Sequence, residues 1–101
     1  MNVHRATAEQ AVAPVFIRPS ERVGIREACE YAGKSDRTVR TWCKRFGIGR
    51  VPMAGGPLVI SLPALNMILQ DDPEALELLR AGDRDNPIVR RHFIETGTAE
   101  I

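Results

Sequence analysis

The sequence predicts a small, mainly α-helical domain carrying one short β-hairpin, on three observations. Two consecutive stretches place apolar residues at the i, i+3, i+4, i+7 spacing of one helix face: Ile25, Ala28, Cys29 and Ala32, then Val39, Trp42, Cys43 and Phe46. A glycine closes each stretch, at Gly33 and at Gly47. Gly49–Met53 and Pro57–Ile60 then flank Ala54-Gly55-Gly56, a turn sequence between two extended runs.

Taken in order, residues 1–20 show no sustained period and are interrupted by Pro14 and Pro19, which predicts a flexible arm. Within it Val15, Phe16 and Ile17 form an apolar cluster suited to a strand or to docking on a neighbour. A first helix is expected over 25–32, where alanine and cysteine permit close approach of another helix, with Gly33 at its C′ position. Ser35 offers an N-cap oxygen and Asp36 suits the positive end of a second helix, Asp36–Phe46, which stops at Gly47. Helix, short glycine-containing turn and second helix make a helix-turn-helix. The hairpin that follows makes it winged, and Pro52 and Pro57 keep the ribbon short and edge-like.

Ser61 caps a third helix with Pro63 in its first turn, and Leu62, Leu65, Ile68 and Leu69 are expected to face inward. It ends before Asp71-Asp72-Pro73. A fourth helix is expected over Pro73–Ala81, closed by Gly82, and a fifth over Ile88–Glu95, in which Ile88, Phe93 and Ile94 pack while Arg90 and Arg91 stay exposed. The organisation read from this is an arm (1–20), a winged helix-turn-helix (21–70) and a C-terminal helical extension (71–101) suited to oligomerisation.

A chain of 101 residues buries one modest core. No run approaches the roughly 20 apolar residues of a membrane span, and the N-terminus lacks an apolar leader core, so a cytoplasmic location in a bacterium or phage-infected cell is expected, with no membrane partner. Cys29 and Cys43 read as core thiols. With His4 and His92 they make no zinc spacing, so no metal and no cofactor is expected. No glycine-rich phosphate loop, acid pair or nucleophile constellation is present, and no enzyme is expected.

The net charge of +1 hides a polarity. Residues 21–50 hold eight basic and four acidic side chains, and residues 71–85 hold six acids and two bases. From Arg37 to Arg50 there are five basic side chains and no acid. With Val39, Trp42, Cys43 and Phe46 buried behind, Arg37, Arg40, Thr41, Lys44 and Arg45 would form a cationic front built to enter a groove lined with phosphates. Burial of Trp42 and Phe46 would contribute about 2–3 kcal/mol each.

In that arrangement Arg37, Arg40 and Thr41 are the candidates for base edges, because an arginine fork matches O6 and N7 of guanine. Lys44 and Arg45, with Ser35 and Thr38 at the helix start, would meet phosphate. Arg50 and the Gly55-Gly56 tip would contact the backbone or the adjacent minor groove.

The stretch from Val23 to Leu69 resembles the small winged helix-turn-helix domains of phage and mobile-element excisionases, or recombination directionality factors, whose fold is shared with MerR-type regulators. The residues that carry the resemblance are Ile25-Arg26-Glu27-Ala28 with Gly33, then Ser35-x-x-Thr38-Val39-Arg40-x-Trp42, Gly47-Ile48-Gly49 and the Gly55-Gly56 tip. The resemblance implies an oligomer on tandem sites of double-stranded DNA that bends the duplex and favours integrase-mediated excision, with an integrase as partner. The acidic 71–85 segment would meet the basic surface of the next copy head to tail. The pattern also fits a transcriptional regulator of mobile-element genes, a recognition subunit of a phage packaging machine, or a protein-interaction module. The final helix and acidic segment go beyond the smallest excisionases, and no long dimerisation helix of MerR type follows.

Overall fold

The computed structural model of the chain describes residues 12–99. Five helices, α1 (Ile25–Ala32), α2 (Asp36–Phe46), α3 (Leu62–Leu69), α4 (Pro73–Arg80) and α5 (Pro87–Glu95), accompany a small antiparallel sheet of β1 (Arg22–Val23), β2 (Gly49–Arg50) and β3 (Val59–Ser61). β3 is central. It pairs Ser61 and Ile60 with Arg22 and Val23 of β1, and Ile60 and Val59 with Gly49 and Arg50 of β2.

Local chemistry sets the helix ends. Ser35 accepts a hydrogen bond from the Thr38 amide at 3.2 Å, Ser61 from Ala64 at 3.2 Å, Asp72 from Ala75 at 3.1 Å and Asn86 from Ile88 at 2.9 Å. Each satisfies an amide that the first turn leaves unpaired. α1 and α2 close on Gly33 and Gly47 in the left-handed conformation, and each glycine amide returns to a carbonyl four residues back, Cys29 or Cys43.

α3 is the axis of the core. It packs against α1, β3, α4 and α5, and Leu62 through Met67 are all buried. The inward stripe expected on one side is therefore a helix enclosed nearly all round, with Ile68 and Leu69 only partly covered. One buried cluster joins Val15, Val23, Ala28, Val39, Ile48, Ile60, Leu65, Met67, Leu76, Leu79, Val89 and Phe93. The C-terminal helices thus share the core of α1 and α2, and no boundary in packing falls at residue 70.

Other expectations are corrected by the packing. α5 buries Val89, His92 and Phe93, while Ile94 is 62% exposed. The turn of helix chosen by Asn86 as cap points Ile94 outward. The two hairpin strands end at Arg50 and begin again at Val59, well short of 49–53 and 57–60, because Pro52 and Pro57 have no N–H to continue a ladder. β1, too short to show a period, adds a third strand.

The flexible arm expected over 1–20 does not describe residues 15–21. Val15 and Ile17 are each 2% exposed, and the Val15 amide donates to the Gly47 carbonyl at 2.9 Å. Arg84 pins the same segment. Its Nη1 donates to Glu21 Oε2 at 2.6 Å and its Nη2 to the Phe16 carbonyl at 2.7 Å. Its guanidinium carbon also lies 5.6 Å from the Phe16 ring centroid and 5.3 Å from that of Phe93. Residues 1–11, and with them His4, lie outside the described residues.

Gly47 shows what this packing demands. Its φ is 70°, and a Cβ there would stand 2.9 Å from the Ala13 carbonyl oxygen and 3.2 Å from Pro14 Cα. Gly47→Ala is expected to destabilise by about 2–3 kcal/mol, combining left-handed strain with a backbone clash. Gly55→Ala, with φ at 77° in open space, should cost about 1 kcal/mol. Equal losses in urea denaturation of the two variants would refute the close approach at Gly47.

Candidate nucleic-acid interface

α2 lies at one side of the molecule, resting mainly on α1 and β2. Val39 and Cys43 form its buried back at 0% and 5% exposure. Trp42 and Phe46, expected in the core, are only partly buried and flank that seam. With α2 lodged in a two-sided seat, the outer edges of its apolar stripe stay in contact with water.

The opposite side carries Arg37, Arg40, Thr41 and Lys44, all exposed. They recur at i, i+3, i+4 and i+7, so they form one row along the helix. Arg37 and Lys44 have no ion pair among the described residues. Arg40 does: its Nε lies against Asp36 Oδ1 one turn earlier, with the two side chains 51% and 60% exposed. Such a solvated pair contributes under about 0.5 kcal/mol and yields readily to a phosphate or base edge. The Thr41 hydroxyl donates to the Arg37 carbonyl at 2.9 Å. The Ser35 hydroxyl donates to Thr38 Oγ1 at 3.1 Å within the cap, which leaves the Thr38 hydroxyl proton at the helix start as a donor.

A cleft of about 340 Å³ between α2 and the hairpin is lined by Arg40, Cys43, Lys44, Gly49, Arg50, Val51 and Leu58. The fold thus brings Arg40, Lys44 and Arg50 together, with Arg37 and Thr41 further along the same row. Arg45 is not part of this group. It lies 5.2 Å over the Phe46 ring and borders a separate cleft with Glu77 and Arg80, one residue and so about 100° around the helix from Lys44. Arg80 closes the C-terminus of α2 by donating to the Phe46 carbonyl at 2.6 Å. Gly55 and Gly56 form the hairpin tip, where the Gly56 amide donates to the Met53 carbonyl at 2.8 Å.

Beneath the cleft, burial pushes the Cys43 thiol up to about 11; Arg40 opposes this and Cys29 adds to it. The thiol is therefore protonated at neutral pH and serves as core. Cys29 is half-buried, and both cysteines are free.

A second polar cluster ties α1 and α3 to α5. Tyr31 Oη donates to Asn66 Oδ1 at 2.7 Å, which turns the Asn66 amide nitrogen toward Glu95 Oε1 at 2.9 Å and His92 Nδ1 at 3.0 Å. His92 Nδ1 then accepts and Nε2 donates to Asp72 Oδ2 at 2.8 Å. Gln70 donates to Glu95 at 2.7 Å, and Arg91 reaches Asp72 and Glu95, each at 3.3 Å. His92 is fully buried with both ring nitrogens occupied, so this Asp–His pair holds helices together and has no access to a substrate. Sequence reading missed it, because partners 20 to 35 positions apart leave no local signal.

The hydrogen bond from His92 is the largest cause of a lowered Asp72 pKa, with the Ala75 amide and the Arg91 charge assisting and burial opposing. Bonds from Gln70 and then Asn66 lower that of Glu95. Both carboxylates are depressed on folding, so their contribution is complete above the unfolded value near pH 4 and is lost as pH falls through the lower folded values. The melting temperature is expected to drop on acidification below about pH 4. Asp72→Asn should melt lower at neutral pH and lose less on acidification. Parallel acid profiles for the two proteins would exclude Asp72 as a source.

No known protein family, no curated protein and no solved structure matches the chain. Among the described residues no helix is long and apolar enough to cross a membrane, and no group of three His, Cys, Asp or Glu side chains is placed to hold a metal ion.

Proposed function

We propose that this chain is a sequence-specific binder of double-stranded DNA, that its helix-turn-helix and hairpin act as a winged reading head, and that it works as an excisionase or recombination directionality factor. The observation that carries the DNA-binding reading is the exposed row Arg37, Arg40, Thr41 and Lys44 on α2, with Arg50 joining it across the cleft. A helix whose back is buried and whose front offers three guanidinium or ammonium groups fits the major groove in width and charge. Arg37, Arg40 and Thr41 read base edges in this proposal, while Lys44, Arg50 and the start of α2 hold phosphates. Arg45, turned toward α4, contributes to the general field. The excision role rests on the resemblance of Val23–Leu69 and has an integrase as its partner.

About four to six phosphate contacts give weak binding with a salt slope near 0.9 log units per contact, so specificity comes from several copies on tandem sites. Asp71, Glu74 and Asp85 are exposed and carry no ion pair among the described residues. They suit a head-to-tail contact with the basic row of the next copy. Asp72, Glu77 and Asp83 are engaged within the chain.

The test is selection of duplexes from a random pool by the full chain, followed by footprinting of the recovered motif in the DNA around its own gene. Tandem footprints beside an attachment site support the excision role, and a footprint across a promoter favours a transcriptional regulator. Failure to enrich any sequence, with no salt-dependent affinity, would overturn the DNA-binding reading.

A further inference from the structure

We infer that the hairpin tip is an apolar wedge that enters the minor groove and unstacks a base step, with Met53 as the inserted side chain. The inference rests on the DNA-binding reading of α2 and adds the means by which the duplex is kinked.

No side chain from Val51 to Ile60 is charged. The tip therefore has no cation with which to neutralise a phosphate. Pro52 and Pro57 have no backbone donor and the Gly56 amide is already given to the Met53 carbonyl, which leaves the uncharged amides of Met53, Ala54 and Gly55. What the tip does present is apolar. Met53 is 74% exposed, more than Phe16 at 64% or Ile94 at 62%, and Val51 beside it is 49% exposed.

The turn holds Met53 in place. Gly55 sits at φ 77°, and a Cβ at Gly56 would lie 3.1 Å from the Met53 carbonyl oxygen, so glycine at both positions lets the turn close tightly. Val51 lines the same cleft as Arg40, Lys44 and Arg50. Once Lys44 and Arg50 hold phosphates and Arg40 meets a base edge, the next part of the protein along the hairpin is this uncharged prow. Methionine and proline are side chains that proteins insert between base steps from the minor groove, kinking the duplex. A pyrimidine–purine step such as TA or CA is the easiest to open.

A second copy of the chain is the other occupant to weigh. A tip of a few residues offers far less than the roughly 800 Å² per partner of a stable protein interface. A base step needs only one side chain, because the cationic row supplies the binding.

The experiment uses the full chain and a duplex recovered by selection, carrying 2-aminopurine at the pyrimidine–purine step beside the motif and a donor–acceptor pair at its ends. The wild type is expected to raise the 2-aminopurine emission and bring the ends together, by a kink on the order of 20–90°. Met53→Ser, at an exposed position where circular dichroism should show an unchanged fold, loses both signals. Its affinity falls less than about tenfold, since the cost of unstacking offsets the apolar gain. Met53→Leu retains both signals. Binding by the wild type without increased emission, or full emission from Met53→Ser, overturns the wedge while leaving the DNA-binding reading intact. Loss of self-association in Met53→Ser with emission unchanged likewise overturns it, in favour of a second copy. A wild type that recovers no duplex in selection overturns both.

Discussion

Arg40→Glu combined with Lys44→Glu is expected to weaken binding to a selected duplex by at least about a hundredfold. Each charged contact to a base edge or phosphate is worth about 1–3 kcal/mol, and reversal adds repulsion to the loss. The salt slope should fall by about 0.9 log units for each phosphate contact removed. Neither side chain supports the core: both are exposed, and the Arg40–Asp36 pair is a solvated one. The melting temperature should therefore stay within a few degrees of wild type. Fluorescence anisotropy across a salt series reads both quantities. An affinity that does not move when these two charges are reversed would favour a protein-interaction module over a DNA-binding one.

Asn66→Ala is expected to be the most damaging single polar substitution, at about 3–4 kcal/mol. Asn66 is 4% exposed and joins Tyr31 on α1, His92 on α5 and Glu95. Removing it leaves His92 Nδ1 buried without a partner and opens a void beside α3. Tyr31→Phe, which deletes one bond from a residue 42% exposed, should cost about 1 kcal/mol or less. Urea denaturation separates the two, and equal losses would mean that the network is not what couples α1 to the C-terminal helices. That coupling matters for the site because α2 rests on α1. A truncation that removes α4 and α5 is expected to disturb α1 and α2, since Leu76, Leu79, Val89 and Phe93 share one core with Ala28 and Val39.

Helices α1 and α2 were legible in the sequence almost to the residue, because period, cap and terminating glycine are local properties that agreed at both ends. The cationic row was legible for the same reason: once α2 is a helix, spacing alone places Arg37, Arg40, Thr41 and Lys44 together. Arg45, one residue on from Lys44, borders the cleft with Glu77 and Arg80 and not the one beside the hairpin. Trp42 was read as core from its stripe, but burial depends on how many elements close around α2, and only α1 and β2 do so closely. β1 and the Glu21–Arg84 contact, 63 positions apart, were out of reach. Each is fixed by a distant strand or side chain and leaves no pattern in its own segment. The near-complete enclosure of α3 follows equally from four neighbours that no single window contains.

The most direct measurement is a map of backbone amide shifts as a selected duplex is titrated into the labelled chain. Shifts concentrated at residues 35–45 and 50–56, with α4 and α5 nearly silent, are the expected result. Shifts centred on α4 and α5, or none at saturating duplex, would contradict the assignment of α2 as the reading helix.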